Sequence, residues 1–184
     1  MRIITGTARG TKLAAPEGEN TRPTADMTKE AVFSMIQFEI EGRRCLDLFA
    51  GSGQMGLEAL SRGAEKATFV DSSAEAVKII KQNAVKTHLY QKCLVLNYDF
   101  RKYLQAAKDE RFDLVFLDPP YDEGGEIDEA VAFMMENGML ENGAYVVCES
   151  GRKEPFGHEG LILRKHSRYG KAYISLLYKG DDAT

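Results

Sequence analysis

From residue 42 onward, short apolar runs alternate with amphipathic ones. The first junction between them reads Asp47-Leu48-Phe49-Ala50-Gly51-Ser52-Gly53-Gln54-Met55-Gly56. A buried run ending in a glycine-rich turn that opens a helix is the start of an α/β unit, because glycine lets the backbone turn tightly and approach a ligand closely. The pattern predicts strands over 45–49, 67–70, 93–96, 112–117 and 144–148. Between them it predicts helices over 56–62, from Ser72 or Ser73 to about 87, over 100–108 and over 127–137. Two further apolar segments, 161–164 and 172–178, follow without a helix between them and read as a terminal antiparallel pair. The expected architecture is a mostly parallel sheet with helices on both faces, and its ligands bind at the carboxyl ends of the strands.

Ahead of this core, residues 1–24 are turn-rich, with Gly6, Gly10, Pro16, Gly18 and Pro23. Segments 2–7 and 11–14 suggest a small hairpin, and Thr24 or Asp26 can cap a helix over 27–40. The expected division is an N-terminal arm, 1–24, belonging to the same domain as the main body, 25–184. At 184 residues the chain suits one domain. No apolar run approaches the ~20 residues needed to span a bilayer, and the N-terminus lacks the apolar segment of a secretory signal. Three widely spaced cysteines, Cys45, Cys93 and Cys148, fit reduced, buried thiols of a cytoplasmic protein and no metal site.

Net charge is −4, which disfavours nucleic acid as a partner, but the distribution matters more than the sum. Cations gather at the two ends: Arg2, Arg9 and Lys12 in the arm, and Arg164, Lys165 and Arg168 near the C-terminus. These six are the candidate RNA-binding residues. Each alone also reads as ordinary solvated surface.

Two motifs carry chemistry. In the glycine loop, Gly51 and Gly53 are placed to cradle a nucleoside cofactor. Asp71, twenty residues past Gly51, can take its ribose hydroxyls. The loop also satisfies G-x-G-x-x-G, so a nicotinamide cofactor competes. Asp47 separates the two, since a carboxylate here suits the cationic amino group of a methionine moiety and would sit badly near a pyrophosphate. Asp99 can accept from an adenine amino group or simply cap a helix, and Phe100 can flank the ring.

The second motif is Asp118-Pro119-Pro120-Tyr121, directly after the fourth strand. Two prolines fix a rigid extended turn. An exocyclic amine on a base is a poor nucleophile because its lone pair is delocalised into the ring. The Asp118 carboxylate and Pro119 carbonyl can accept its hydrogens and stabilise the positive charge that develops on nitrogen. The Tyr121 ring can stack on an unstacked base. The chemistry implied is methyl transfer from S-adenosylmethionine to a base amine.

The stretches RIITGTARGTKLAAPEG, TRPTADMTKEAVFSMI, DLFAGSGQMGLEALSRGA, FVDSS, DPPY and YGKAYISLLYK resemble the bacterial 16S ribosomal RNA guanine-N2 methyltransferase D family over essentially the whole chain. The resemblance implies a Rossmann-like class I S-adenosylmethionine-dependent methyltransferase with a seven-stranded sheet. It implies methylation of a guanine N2, at the base conventionally numbered 966, in small-subunit 16S rRNA. The negative net charge, with neither end resembling a self-contained RNA-binding domain, points to an assembled or partly assembled small ribosomal subunit as substrate, and a monomer is expected. By position it puts Asp47, Gly51, Gly53, Asp71 and Asp99 on the cofactor. Asp118 to Tyr121 fall on the guanine, and Arg22 and Thr24 near the cofactor's carboxylate end. One departure is Gln54-Met55, in place of the more usual small or aliphatic pair, which is expected to be tolerated at a helix start. The alternatives are a DNA adenine-N6 methyltransferase, for which the chain is short, a nicotinamide-dependent oxidoreductase, which leaves DPPY unexplained, and a non-catalytic RNA-binding module.

Overall fold

The computed structural model describes residues 1–16, 23–120 and 125–181, and of 23–25 the backbone alone. Seven strands form one sheet: β1 (Arg44–Asp47), β2 (Lys66–Asp71), β3 (Cys93–Asn97), β4 (Phe112–Leu117), β5 (Leu140–Ser150), β6 (Leu161–Tyr169) and β7 (Ala172–Lys179). Five helices accompany them: α1 (Pro23–Met35), α2 (Gln54–Ser61), α3 (Ala74–Lys86), α4 (Phe100–Ala106) and α5 (Gly125–Glu136). The strand order is β3-β2-β1-β4-β5-β7-β6. Strands β1 to β5 pair in parallel, and β7 lies antiparallel to both β5 and β6. The order reverses at β1, so the carboxyl ends of β1 and β4 flank a crevice.

Period-two alternation splits the core between the two faces. Cys45, Ala67, Phe69, Leu114 and Phe116 pack with Val32 and Phe33 of α1, Leu57 and Leu60 of α2, and Ile80 of α3. Leu46, Val70, Val115 and Leu117 pack the other way, against Phe100 and Leu104 of α4 and Ile127 and Val131 of α5. The mostly parallel sheet with helices on both faces is therefore present as expected.

Helix starts follow local chemistry. Ser73 caps α3 by accepting from the Ala76 N–H at 3.3 Å, and Asp99 caps α4 through the N–H groups of Arg101 and Lys102. Helix α1 departs from the predicted 27–40. It begins at Pro23, whose fixed φ and missing N–H suit a first helical position. It ends at Met35, beyond which the Glu39 N–H bonds the Ile36 carbonyl in a turn. Ile36 and Ile40 stay buried, so the apolar pattern outlasts the helix.

The N-terminal hairpin reduces to one antiparallel bridge, Arg2 to Lys12, supported by Ile3 N–H to Thr11 O at 3.0 Å and Gly10 N–H to Ile3 O at 2.8 Å. The arm is held chiefly by the body. Glu58 of α2, fully buried, accepts from the Ile4 and Thr5 N–H groups at 2.8 and 3.0 Å. It also pairs with Arg62 at 2.8 Å and Lys29 at 3.7 Å. The Lys29 ammonium donates to the Arg2 carbonyl, and burial pulls its pKa down against the attraction of Glu58. Gly6, at φ +89, packs so closely that a Cβ there would lie 1.8 Å from the Ser61 carbonyl oxygen. Ile3, Ala8 and Leu13 join the same buried cluster as α1 and α2.

Candidate active site

A cleft opens across the carboxyl ends of β1, β2 and β4. One lobe of about 350 Å³ is lined by Asp47, Gly51, Gln54, Asp71, Asp118 and Pro120, among others, with Pro16 of the arm as part of its wall. A second lobe of about 160 Å³ continues past Phe49, Asp71 and Pro120 to Asp99 and Phe100. Phe49, Asp71, Ser72 and Pro120 border both. The chain thus brings together Asp47, Gly51, Asp71, Asp99, Phe100, Asp118 and Pro120. Pro119 is buried beneath the turn. Arg22 and Tyr121 lie outside the described residues, as does the side chain of Thr24.

The floor is set by two acids acting on backbone. Gly53 precedes α2 at φ 78, a left-handed conformation that glycine adopts without strain, and it has no side chain to cap the helix. Asp47 supplies the cap from β1, its Oδ2 accepting from the Gly56 N–H at 3.1 Å. Asp47 is 4% exposed. Loss of hydration raises its pKa to about 7, opposed by the Gly56 hydrogen bond and assisted by the nearby Asp71 charge. Asp71 accepts from the Gly51 N–H on Oδ2 and from the Ser73 N–H on Oδ1, both at 2.8 Å. Each carboxylate oxygen keeps a second lone pair for a ligand. Asp99 caps α4 yet remains exposed to the cleft, so the two readings of it coexist. The Phe100 ring is 5% exposed and sits 5.1 Å from Phe49, centre to centre. Phe49 is the more open of the two.

These residues fit S-adenosylmethionine. Beside α2 the cleft offers a buried acid, Asp47, that would take an amino-acid ammonium, a second acid, Asp71, that would take ribose hydroxyls, and two aromatic rings, Phe49 and Phe100, at the far lobe. Asp118 lines the same cavity as Asp47 and Gly51, where its carboxylate would be available to accept from a base amine. In the neighbouring strand Glu149 follows Cys148, the register partner of Leu117, bringing another carboxyl to this end of the sheet. Burial pushes its pKa above the ordinary carboxylate range.

The six candidate cations are all exposed. Arg164 and Arg168, on the sheet-edge strand β6, lie over the Tyr178 and Tyr173 rings at 4.4 and 5.8 Å, and Arg168 donates to the Gly170 carbonyl. Arg2, Arg9 and Lys12 sit on the arm, away from strand β6 in sequence but held to the same face of the sheet as α1, which touches β6.

Several contributors escape the sequence. Asn83 of α3, 1% exposed, bonds Ala14 and the Ser52 carbonyl and so ties the arm to the glycine loop. Pro16 lines the cleft without a motif to mark it, and Phe49 lies inside the glycine-loop motif, which gives it no role.

A glycine loop closed by an acid from the next strand, with an acid–proline–proline turn on the far side of the same cleft, defines a class I S-adenosylmethionine-dependent methyltransferase. The fold agrees: an RNA methyltransferase of Salinibacter ruber, solved with S-adenosylhomocysteine, superposes with a TM-score of 0.64 at 14% identity over 89% of this chain and 97% of its own. The chain belongs to the family described as conserved hypothetical protein 95, whose model matches residues 1–178. The Escherichia coli relative named ribosomal RNA small subunit methyltransferase D is 38% identical over 82% of this chain and 74% of its own length. The solved structure of the Escherichia coli protein yhhF has a TM-score of 0.87 at 32% identity, covering 99% of each chain.

Proposed function

We propose that this enzyme methylates the exocyclic N2 of one guanine in 16S rRNA, and that its substrate is an assembled or partly assembled small ribosomal subunit. The observation that carries the reading is the shared cavity of Asp118, Asp47 and Gly51. The name of the Escherichia coli relative supports the ribosomal target. S-adenosylmethionine supplies an electrophilic methyl group. In this reading Asp47 and the glycine loop hold its amino-acid end, Asp71 its ribose, and Asp99 with Phe100 its adenine. Asp118 and the Pro119 carbonyl accept the two hydrogens of the guanine amine, and the proline turn fixes them before the base arrives. Tyr121 stacks on the base, while Arg22 and Thr24 serve the cofactor's carboxylate.

The negative net charge favours a structured ribonucleoprotein over free RNA. A base already unstacked spares an extrusion cost of a few kcal/mol. The arm cations and those of β6 hold phosphates. The protein works as a cytoplasmic monomer, with the arm as part of its single domain. Among the described residues no helix is long and apolar enough to cross a membrane.

The test compares methylation of naked 16S rRNA, assembled 30S particles and duplex DNA, with mass mapping of the modified nucleoside. N2-methylguanine formed in particles supports the reading. N6-methyladenine formed in DNA replaces it with the DNA alternative.

A further inference from the structure

Gln54 is the first residue of α2 and lines the cavity beside Asp47, Gly51 and Asp118. Its Oε1 is buried and has no hydrogen-bond partner among the described residues. Native proteins rarely leave a buried acceptor without a donor, so such an atom marks a place where a ligand completes the site. A side-chain amide offers two donors and one acceptor in one plane. Around it the cavity presents two opposite electrostatic characters: the Asp47 carboxyl, and the N-terminal end of α2, where unpaired N–H groups and the helix dipole favour an anion. A carboxyl, an amide and a helix N-terminus together suit a zwitterion, an ammonium next to a carboxylate.

We infer that Gln54 binds the amino-acid end of S-adenosylmethionine, its Oε1 accepting from the ammonium alongside Asp47 and its Nε2 donating to the carboxylate. The residue type expected here by resemblance, small or aliphatic, can do neither. Gln54 therefore makes cofactor binding in this chain depend more strongly on an intact amino-acid moiety. The inference concerns the cofactor alone and stands whatever RNA the enzyme modifies.

Titration calorimetry with two ligands tests it: S-adenosylhomocysteine, which keeps the amino-acid end, and 5′-methylthioadenosine, which lacks it. Gln54→Ala should weaken S-adenosylhomocysteine roughly tenfold, the value of one hydrogen bond to a charged group. Gln54→Glu should weaken it further by opposing the ligand carboxylate. Binding of 5′-methylthioadenosine should stay within about twofold of wild type for both variants. Unchanged affinity of Gln54→Ala for S-adenosylhomocysteine overturns the inference. So does an equal loss for both ligands, which would mean that the side chain only shapes the loop. A wild type that binds neither ligand would instead defeat the cofactor assignment itself.

Discussion

Asn83 grips Ala14 through both ends of its side-chain amide, accepting from the Ala14 N–H at 2.8 Å and donating to the Ala14 carbonyl at 2.9 Å. The same Nδ2 also donates to the Ser52 carbonyl at 2.9 Å. One buried residue of α3 thus fixes the arm, and with it the cleft wall at Pro16, against the glycine loop. Asn83→Ala leaves buried backbone groups without partners, at about 1–3 kcal/mol for each one that water cannot reach. For a chain of this size each kcal/mol lowers the melting temperature by about 2–4 °C. A drop of at least that size is expected, together with faster hydrogen exchange at Ala14. An unchanged melting curve would show that the clamp is dispensable.

Asp71 connects the loop to the second strand by accepting from Gly51 and Ser73. In Asp71→Asn one of these N–H groups faces an amide NH2 instead of an acceptor. The ribose loses a charge-assisted partner worth about 1.5–3 kcal/mol. Calorimetry should show S-adenosylmethionine binding weakened by tenfold or more. Wild-type affinity would remove Asp71 from the cofactor site.

Asp118 lies on the turn after β4, on a different segment from the glycine loop that follows β1, so Asp118→Ala should leave cofactor affinity close to wild type. The single-turnover rate should fall on the order of 10²-fold or more, the usual effect of deleting one preorganised electrostatic partner. A full rate with bound cofactor would exclude the carboxylate from polarising the amine.

Asp47 couples stability and binding to pH in opposite senses. Its pKa is about 7 in the folded chain, against about 3.9 when unfolded. The folded state therefore binds more protons across that window, and its stability falls as pH rises through it. Asp47→Asn should flatten the melting temperature against pH between about 4 and 7. The cationic amino group needs the ionised acid, so wild-type affinity should rise with pH up to about 7, and the variant should lose that rise. Parallel pH profiles for the two proteins would show that Asp47 titrates elsewhere.

Much of this was legible because the chemistry of an α/β crossover is local. The glycines, the apolar strand before them and the acid twenty residues on all mark β1, α2 and β2, and the two prolines mark the end of β4. What escaped depends on pairing at a distance. Among the described residues strand β6 pairs with β7 alone and keeps Arg164, Lys165 and Arg168 exposed, so only its start, 161–164, reads as a strand. Glu58, Lys29 and Arg62 look like surface charges on two helices. They become a core network only because the arm folds back over them. In sequence Asp71 reads only as a ligand acid, whereas its first task is to hold the Gly51 and Ser73 N–H groups.

The docking of the arm has a consequence for synthesis. Residues 2–14 leave the ribosome before α3 does, yet Ala14 must meet Asn83, 69 residues later in the chain. At about 5–20 residues per second that delay is on the order of several seconds. Through that interval Ile3 and Leu13, destined for the core, lack the α3 part of the cluster that buries them. The nascent arm is thus exposed to chaperones and proteases until α3 has emerged, and Pro16 takes its place in the cleft wall only after more than eighty residues have been made.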